Sequence, residues 1–478
     1  MESIRKNFFY QSAYQILTIV LPLLTSPYLA RVIGAEGVGI YSYTYAIVNY
    51  FVISARLGLH NYGNRCIATV RDDRAKLSQT FCDLYCLHVV VSAVAIIAYI
   101  GFIFLYGEEY KKIFIIQGLY LIAQLLDINW FFFGIEKFKI TVTRNMFIKL
   151  LTVASVFAFV REKQDFIKYI FILAFGSALS ESIVWIFVGN YIEFVKPSLR
   201  ACRKHFFPMA VFFIPSVAVS IYKMMDKIML GVISNTVQVG LYENSEKIVN
   251  ICMGFVTALG TVMLPRMTNL MATGRMDESK GAIEKSAKIV LCLSYAMCFG
   301  IIGISAVFPI IFWGNEFQQC SYLMMGLAVS LPFTAIANVI RTQYLMPRHH
   351  DKAFVLAVCA GAVINLAVNS VCIPQMDAMG AVVGTIMAEI LVCLIQLIAA
   401  QKEIPIWRYA VESLPFVLFG GIMAVVVYFM GVVLGYRLLT LVLQVCVGGF
   451  IYILCSGIYL STIGKKYLRM DIFSLRKH

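Results

Sequence analysis

The sequence predicts an all-α polytopic membrane protein of about fourteen transmembrane helices, and three observations predict it. Hydrophobic residues make up 60% of the 478-residue chain, against roughly 45–50% in a soluble domain. Charged residues are 14%, where roughly 25% is usual. The apolar residues also fall into long runs, near the length of about 20 residues that a bilayer crossing needs. A soluble protein of this size would have too little polar surface to cover such a core. A soluble enzyme, a secreted disulfide scaffold and a disordered chain are therefore excluded.

Charged or Gly/Pro/Asn breaks between the apolar runs place the spans near 7–32, 39–60, 78–105, 113–134, 142–160, 166–190, 206–232, 237–262, 284–312, 320–345, 353–373, 378–400, 409–434 and 438–462. The first run is too long and too proline-marked for a cleaved signal peptide and is expected to stay as a span. Connections are short, which leaves no room for a separate extramembrane domain. The 13 cysteines include no CxxC pair and mostly lie in apolar runs, so they read as small buried side chains.

Net charge is +14, which in a soluble chain would suggest nucleic acid. Here the positive-inside rule explains the bulk of it. With a cytoplasmic N-terminus, 28 Lys and Arg fall in inner loops and the tail, and 7 in outer loops. Arg144 and Lys288 are counted among the inner loop cations. The asymmetry and the even span count place both termini in the cytoplasm.

Five cations remain within spans: Arg56, Lys149, Lys223, Lys227 and Lys247. A charge at mid-bilayer costs about 2.5–3.5 kcal/mol on the gentler insertion scale, so each needs water, a partner or a ligand. Arg56, near the cytoplasmic end of span two, either snorkels to the inner headgroups or grips an anion with its fork. Lys223, Asp226 and Lys227 share one face of span seven, and Glu243, Glu246 and Lys247 repeat that spacing on span eight. A short turn between these spans would bring the two faces together. They would either pair with one another or form a water-accessible network, the cations open to an anion and the acids to H+ or Na+. Asp127, Glu181 and Glu389 are lone acids in spans, each an interhelical partner or a coupling-ion site. His88 reads as a satisfied interhelical histidine more readily than as a proton relay.

The chain also repeats itself. Val38-Gly39-Ile40-Tyr41 opens span two and Val239-Gly240-Leu241-Tyr242 opens span eight, while Leu57-Gly58 and Leu259-Gly260 lie near the ends of the same spans. Six spans separate the matches, so the repeat is parallel. The expected organisation is a first lobe over 1–200, a second over 201–402, and spans thirteen and fourteen with a basic tail over 403–478. Prolines 22 and 27 in span one and 215 in span seven, at equivalent repeat positions, are expected to bend those helices.

Several stretches together resemble the oligosaccharide (O-antigen, Wzx-type) flippases, the polysaccharide-export branch of the multidrug/oligosaccharidyl-lipid/polysaccharide superfamily. They are LPLLTSPYLARVIGAEGVGIYSYTYAIVNYF, LGLHNYGNRCIATVRDD, FFFGIEKFKITVTRN, MDKIMLGVISNTVQVGLYENSEKI and TQYLMPRHHDKAF. The likeness covers about 1–400, and the order of the pieces is more specific than any one of them. It implies two lobes around a central cavity and alternating access. It further implies a polyprenyl-pyrophosphate-linked oligosaccharide carried to the periplasmic leaflet of a bacterial inner membrane. Arg56, Lys223, Lys227 and Lys247 become the expected substrate-binding cations. Asp226, Glu243, Glu246 and Glu389 become the expected coupling or ion-pair acids.

Expected partners are that lipid-linked substrate, membrane lipids and other polysaccharide-assembly membrane proteins, with no nucleic acid. No cofactor or metal is expected beyond H+ or Na+ coupling. No phosphate loop or HExxH spacing occurs. Asp72-Asp73, the nearest thing to a catalytic acid pair, sits among arginines and reads as a solvated loop. The competing functions are a cation-coupled drug antiporter, a peptidoglycan-precursor flippase and a membrane-embedded polymerase.

Overall fold

The structure, a computed structural model, describes residues 2–462; the basic tail with Lys465, Lys466, Arg469, Arg476 and Lys477 lies outside the described residues. The chain divides into two compact units between Gly231 and Val232. All regular structure among the described residues is helical. Among the described residues, eleven helical segments are long and apolar enough to cross a membrane by length and composition. Each of the fourteen expected segments lies mostly on helix, with interruptions in some of them.

The first unit contains α1 (Glu2–Arg56), α2 (Leu59–Val70), α3 (Arg74–Tyr106), α4 (Lys111–Gln117), α5 (Leu119–Leu125), α6 (Asn129–Gly134), α7 (Phe138–Phe159), α8 (Phe166–Ile183) and α9 (Trp185–Val188). α10 (Leu199–Ile233) carries the chain to the boundary. α1 holds the first two expected spans, hinged at Gly34, whose φ of 71° and ψ of 179° interrupt the helix. A side chain would be strained in that conformation, so glycine is what allows two spans to follow with no loop.

The second expected span runs into a reversal at Leu57 and Gly58, both at positive φ. The next stretch, taken from sequence as a basic loop, is instead the amphipathic helix α2. Leu59, Gly63 and Ile67 recur every four residues and are buried together, while Arg65 on the other face is exposed. The buried face packs on α6. A Cβ on Gly63 would stand 2.7 Å from the Trp130 ring, and Trp130 is fully buried. Gly63→Val is therefore expected to push α2 off α6 at a cost of about 1–3 kcal/mol, read as lower thermal stability in detergent and faster amide exchange across α2.

Asp73 caps α3, accepting from the backbone of Ala75 and Lys76 at 3.1 Å each. Its side chain also meets Lys76 Nζ at 3.0 Å. The backbone bond from Lys76, first, and then that side chain hold its carboxyl below the usual range. Asp72 is fully exposed, so the two acids make a cap and a solvated side chain rather than a catalytic pair.

The second unit contains α11 (Thr236–Ala272), α12 (Met276–Ile304), α13 (Phe308–Phe312), α14 (Cys320–Ile340), α15 (Asp351–Met376), α16 (Ala378–Ala400), α17 (Ile406–Glu412), α18 (Leu414–Leu434) and α19 (Leu438–Thr462). α11 runs ten residues past its expected end and through Pro265. Met267 and Leu270 are buried beyond the proline, and that burial favours continued helix over the expected loop. α14 passes into a π-turn at Arg341–Leu345. α18 and α19 pack on each other and also present large apolar side chains outward, among them Leu418, Val433 and Ile453. A helix apolar on all sides is at home against lipid.

Two cations assigned to loops are in fact buried. Lys288, on α12, pairs with Glu284 at 2.6 Å and Glu412 at 3.0 Å, with 4% of its side chain exposed. Arg144, on α7, is treated below. Both helices begin before their apolar runs do, so Arg144 lies well inside α7 and Lys288 well inside α12. The two Leu-Gly matches of the repeat also differ locally: Gly58 breaks a helix, whereas Gly260 lies mid-helix with Asn338 and Thr342 against it.

Candidate functional site

The fourth expected span is discontinuous. α5 stops at Leu125 and α6 restarts at Asn129, freeing backbone groups that must be satisfied in a membrane. Four successive carbonyls at the break are met by side chains. His88 Nε2 donates to Gln124 O at 2.7 Å and the Tyr85 hydroxyl to Leu125 O at 3.2 Å. Trp185 Nε1 donates to Leu126 O at 2.9 Å and Trp130 Nε1 to Asp127 O at 3.2 Å. His88 is thus an interhelical histidine, wholly buried.

The restart is fixed by Asp127, whose Oδ1 accepts from the backbone and side-chain nitrogens of Asn129 at 2.9 and 2.7 Å. Asn129 Nδ2 also donates to Glu181 Oε2 at 2.8 Å. Arg144 closes the network, with Nη1 at 3.3 Å from Glu181 Oε2 and Nη2 donating to Asn129 Oδ1 at 3.0 Å and Asn145 Oδ1 at 2.7 Å. Ser180 donates to Asn145 Oδ1 at 3.1 Å. Asp127 and Glu181, read separately from sequence, are therefore joined through one asparagine. The network went unread because its members lie up to 54 positions apart; the available signal was Asn129, Asn145 and Glu181 standing as polar residues in otherwise apolar spans.

Arg56 ends α1 beside the same break. It is exposed, and its Nε and Nη2 donate to Gln124 Oε1 at 3.1 and 2.9 Å. Gln124 itself is buried, at 4% exposure. The guanidinium is held in place by a neutral partner, and among the described residues it makes no ion pair. A fixed, exposed guanidinium held by a neutral amide is suited to receive an anionic group.

On α10, Asp226 is buried, Lys227 half-buried and Lys223 exposed. Lys223 makes no ion pair among the described residues. Asn49 Nδ2 donates to Met224 Sδ at 3.0 Å, which sets this stretch of α10 against α1. The other triad belongs to the second unit. Lys247 Nζ lies 3.4 Å from Glu243 Oε1 and 3.2 Å from Asn244 Oδ1, and Glu246 is half-buried beside them. Glu389 is half-buried on α16. That helix also contributes Thr385, hydrogen-bonded to the Tyr242 hydroxyl at 2.8 Å.

The first unit thus joins a broken helix, a fixed cation and a buried charged network, while the second holds an acid–lysine pair on α11. Broken helices with polar groups at the break mark substrate and ion sites in membrane transporters. The fold resembles solved transporters. A lipid II flippase, MurJ, in an inward closed conformation superposes with a TM-score of 0.78 at 14% identity, over 95% of this chain and 99% of that one. An inward-facing multidrug transporter of the MATE family gives 0.60 at 10% identity, over 79% and 93%.

In sequence, the chain is 25% identical over 408 residues to a protein of Escherichia coli K12 named "Putative O-antigen transporter", covering 84% of this chain and 97% of that one. It is 23% identical to a protein of Haloferax volcanii named "Probable low-salt glycan biosynthesis flippase", covering 76% of each. The family model described as polysaccharide biosynthesis protein matches residues 4–271. The chain is a multi-pass membrane protein and belongs to the polysaccharide biosynthesis protein family.

Proposed function

We propose that this protein is a flippase, not an enzyme, and that its cargo is a polyprenyl-pyrophosphate-linked oligosaccharide. It moves the cargo by alternating access from the cytoplasmic to the periplasmic leaflet of a bacterial inner membrane, with both termini in the cytoplasm. The observation that carries this reading is Arg56, a cation held at a helix break by a neutral glutamine and exposed for an anion. Family membership and the two named relatives support it. The pyrophosphate is drawn first to Arg56 and then to the Lys223 and Lys227 face and to Lys247. The lipid tail stays in the bilayer, since transfer to a polar interior would forfeit about 0.8 kcal/mol per CH2.

Transport is coupled to H+ or Na+ through acids of the two units, with the Asp127–Asn129–Glu181 network the best-built candidate beside Asp226, Glu243, Glu246 and Glu389. The other membrane proteins of polysaccharide assembly are its partners. The resemblance to multidrug transporters, at 10% identity, is one of fold and does not favour a drug substrate. Reconstitution in vesicles with a lipid-linked oligosaccharide tests the reading. Transbilayer movement is expected, accelerated by an inward proton or sodium gradient. Drug efflux without glycolipid movement would overturn it.

A further inference from the structure

At one end of the second unit, the α10–α11 turn, the residues before α14 and the α15–α16 turn converge. The Ser234 hydroxyl donates to Asp377 Oδ1 at 2.6 Å, Gln238 Nε2 to Gln319 Oε1 at 3.4 Å, and the Ala378 backbone to Gln238 Oε1 at 3.4 Å. Together they frame a cavity of about 510 Å3 lined by Gln238, Gln319, Tyr322, Met376, Asp377 and Met379 among others. That volume lies within the usual range of small-ligand sites, about 300–1,000 Å3. Asp377 sits at φ 48° and ψ −130°, a conformation side chains rarely adopt and one that surrounding structure must enforce. Tyr322 is 68% exposed, a flat aromatic face at the rim.

The chemistry of this lining is selective. A carboxylate and two amide oxygens accept from hydroxyl donors, the amide nitrogens donate back, and the exposed ring offers an apolar face to stack on. Among the described lining residues there is no cation, so a phosphate would meet Asp377 unopposed. By the alternation of spans, all three turns lie on the outer side when the termini are cytoplasmic. We propose that this cavity binds the hydroxyl-rich glycan of the cargo, not its pyrophosphate, as a release subsite at the periplasmic mouth. The inference rests on the flippase reading above.

The test uses the full-length protein in nanodiscs. The probe is the free oligosaccharide released by mild acid from the lipid-linked pool of the producing cells. Wild type is expected to bind it. Tyr322→Ala and Asp377→Gly are each expected to weaken binding about tenfold or more, and Tyr322→Phe to retain it. Asp377→Gly removes the carboxylate while relaxing the backbone, so a loss there is not a folding loss. Unchanged binding in both variants, or no binding by a wild type that moves the lipid-linked form, overturns the subsite and leaves the transport reading standing. Displacement of the oligosaccharide by glycerophosphoglycerol would assign the cavity to a lipid headgroup and likewise overturn it. Binding that depends on Tyr322 in a protein that moves no lipid-linked oligosaccharide would sustain the glycan site and sink the flippase.

Discussion

Arg144→Ala is expected to destabilise the first unit by about 3–5 kcal/mol, the cost of leaving a buried charge without its partner. The arginine side chain is 4% exposed and that of Glu181 17%, so water only partly replaces the lost guanidinium. Three acceptors lose the guanidinium at once: Asn129 Oδ1, Asn145 Oδ1, which keeps Ser180, and Glu181, which keeps only the neutral amide of Asn129 among the bonds described above. Removing both charges together, as in Arg144→Met with Glu181→Leu, is expected to be much milder, because a well-packed apolar pair can match a buried ion pair. Denaturant titration of the protein in mixed micelles, for wild type, each single variant and the pair, measures the coupling. Additive costs, or a loss under about 1 kcal/mol for Arg144→Ala as at a surface pair, would show the network to be wetter than its geometry indicates.

The second large effect is on transport. Arg56→Ala is expected to slow movement of the lipid-linked oligosaccharide about 10- to 100-fold, since a hydrogen bond to a charged group contributes about 1.5–3 kcal/mol. Stability should change little, because the side chain is exposed and its bonds go to the amide of Gln124. Arg56→Lys is expected to recover part of the rate, as a point charge lacks the planar fork that grips phosphate oxygens in pairs. Full activity in Arg56→Ala would reduce this arginine to a snorkelling side chain at the inner face.

Much of the fold was legible from the sequence because burial in lipid writes a strong, local signal. α16 begins and ends where the apolar run 378–400 does, and α19 starts with the run at 438. What was lost lies where the structure departs from uniform apolarity. α2 is short and half polar, so its four-residue rhythm was hidden in a stretch dominated by Arg65, Arg71 and Arg74. The break in the fourth span carries no proline; besides Trp130 of the span itself, side chains from α3 and α9 meet its carbonyls, and that is not a local property. Arg144 and Lys288 were assigned to loops because a charge near the end of an apolar run looks solvated until its partner is known. Arg144 pairs with Glu181, 37 positions away; Lys288 pairs with the nearby Glu284 but also with Glu412, 124 positions away. For the site, residue type revealed Arg56 and the two triads. The sequence could not show that Arg56 is fixed by a neutral group whereas Lys247 already lies beside Glu243.

The most direct measurement is the rate of transbilayer movement of a lipid-linked oligosaccharide in vesicles holding wild type, Arg56→Ala or Lys223→Ala. Each variant is first shown to melt as wild type does. Rapid movement by wild type, and loss in both variants that deepens when they are combined, is the predicted result. Equal rates in all of them would contradict an anion-reading role for these cations. No movement by any, including wild type, would contradict the flippase itself.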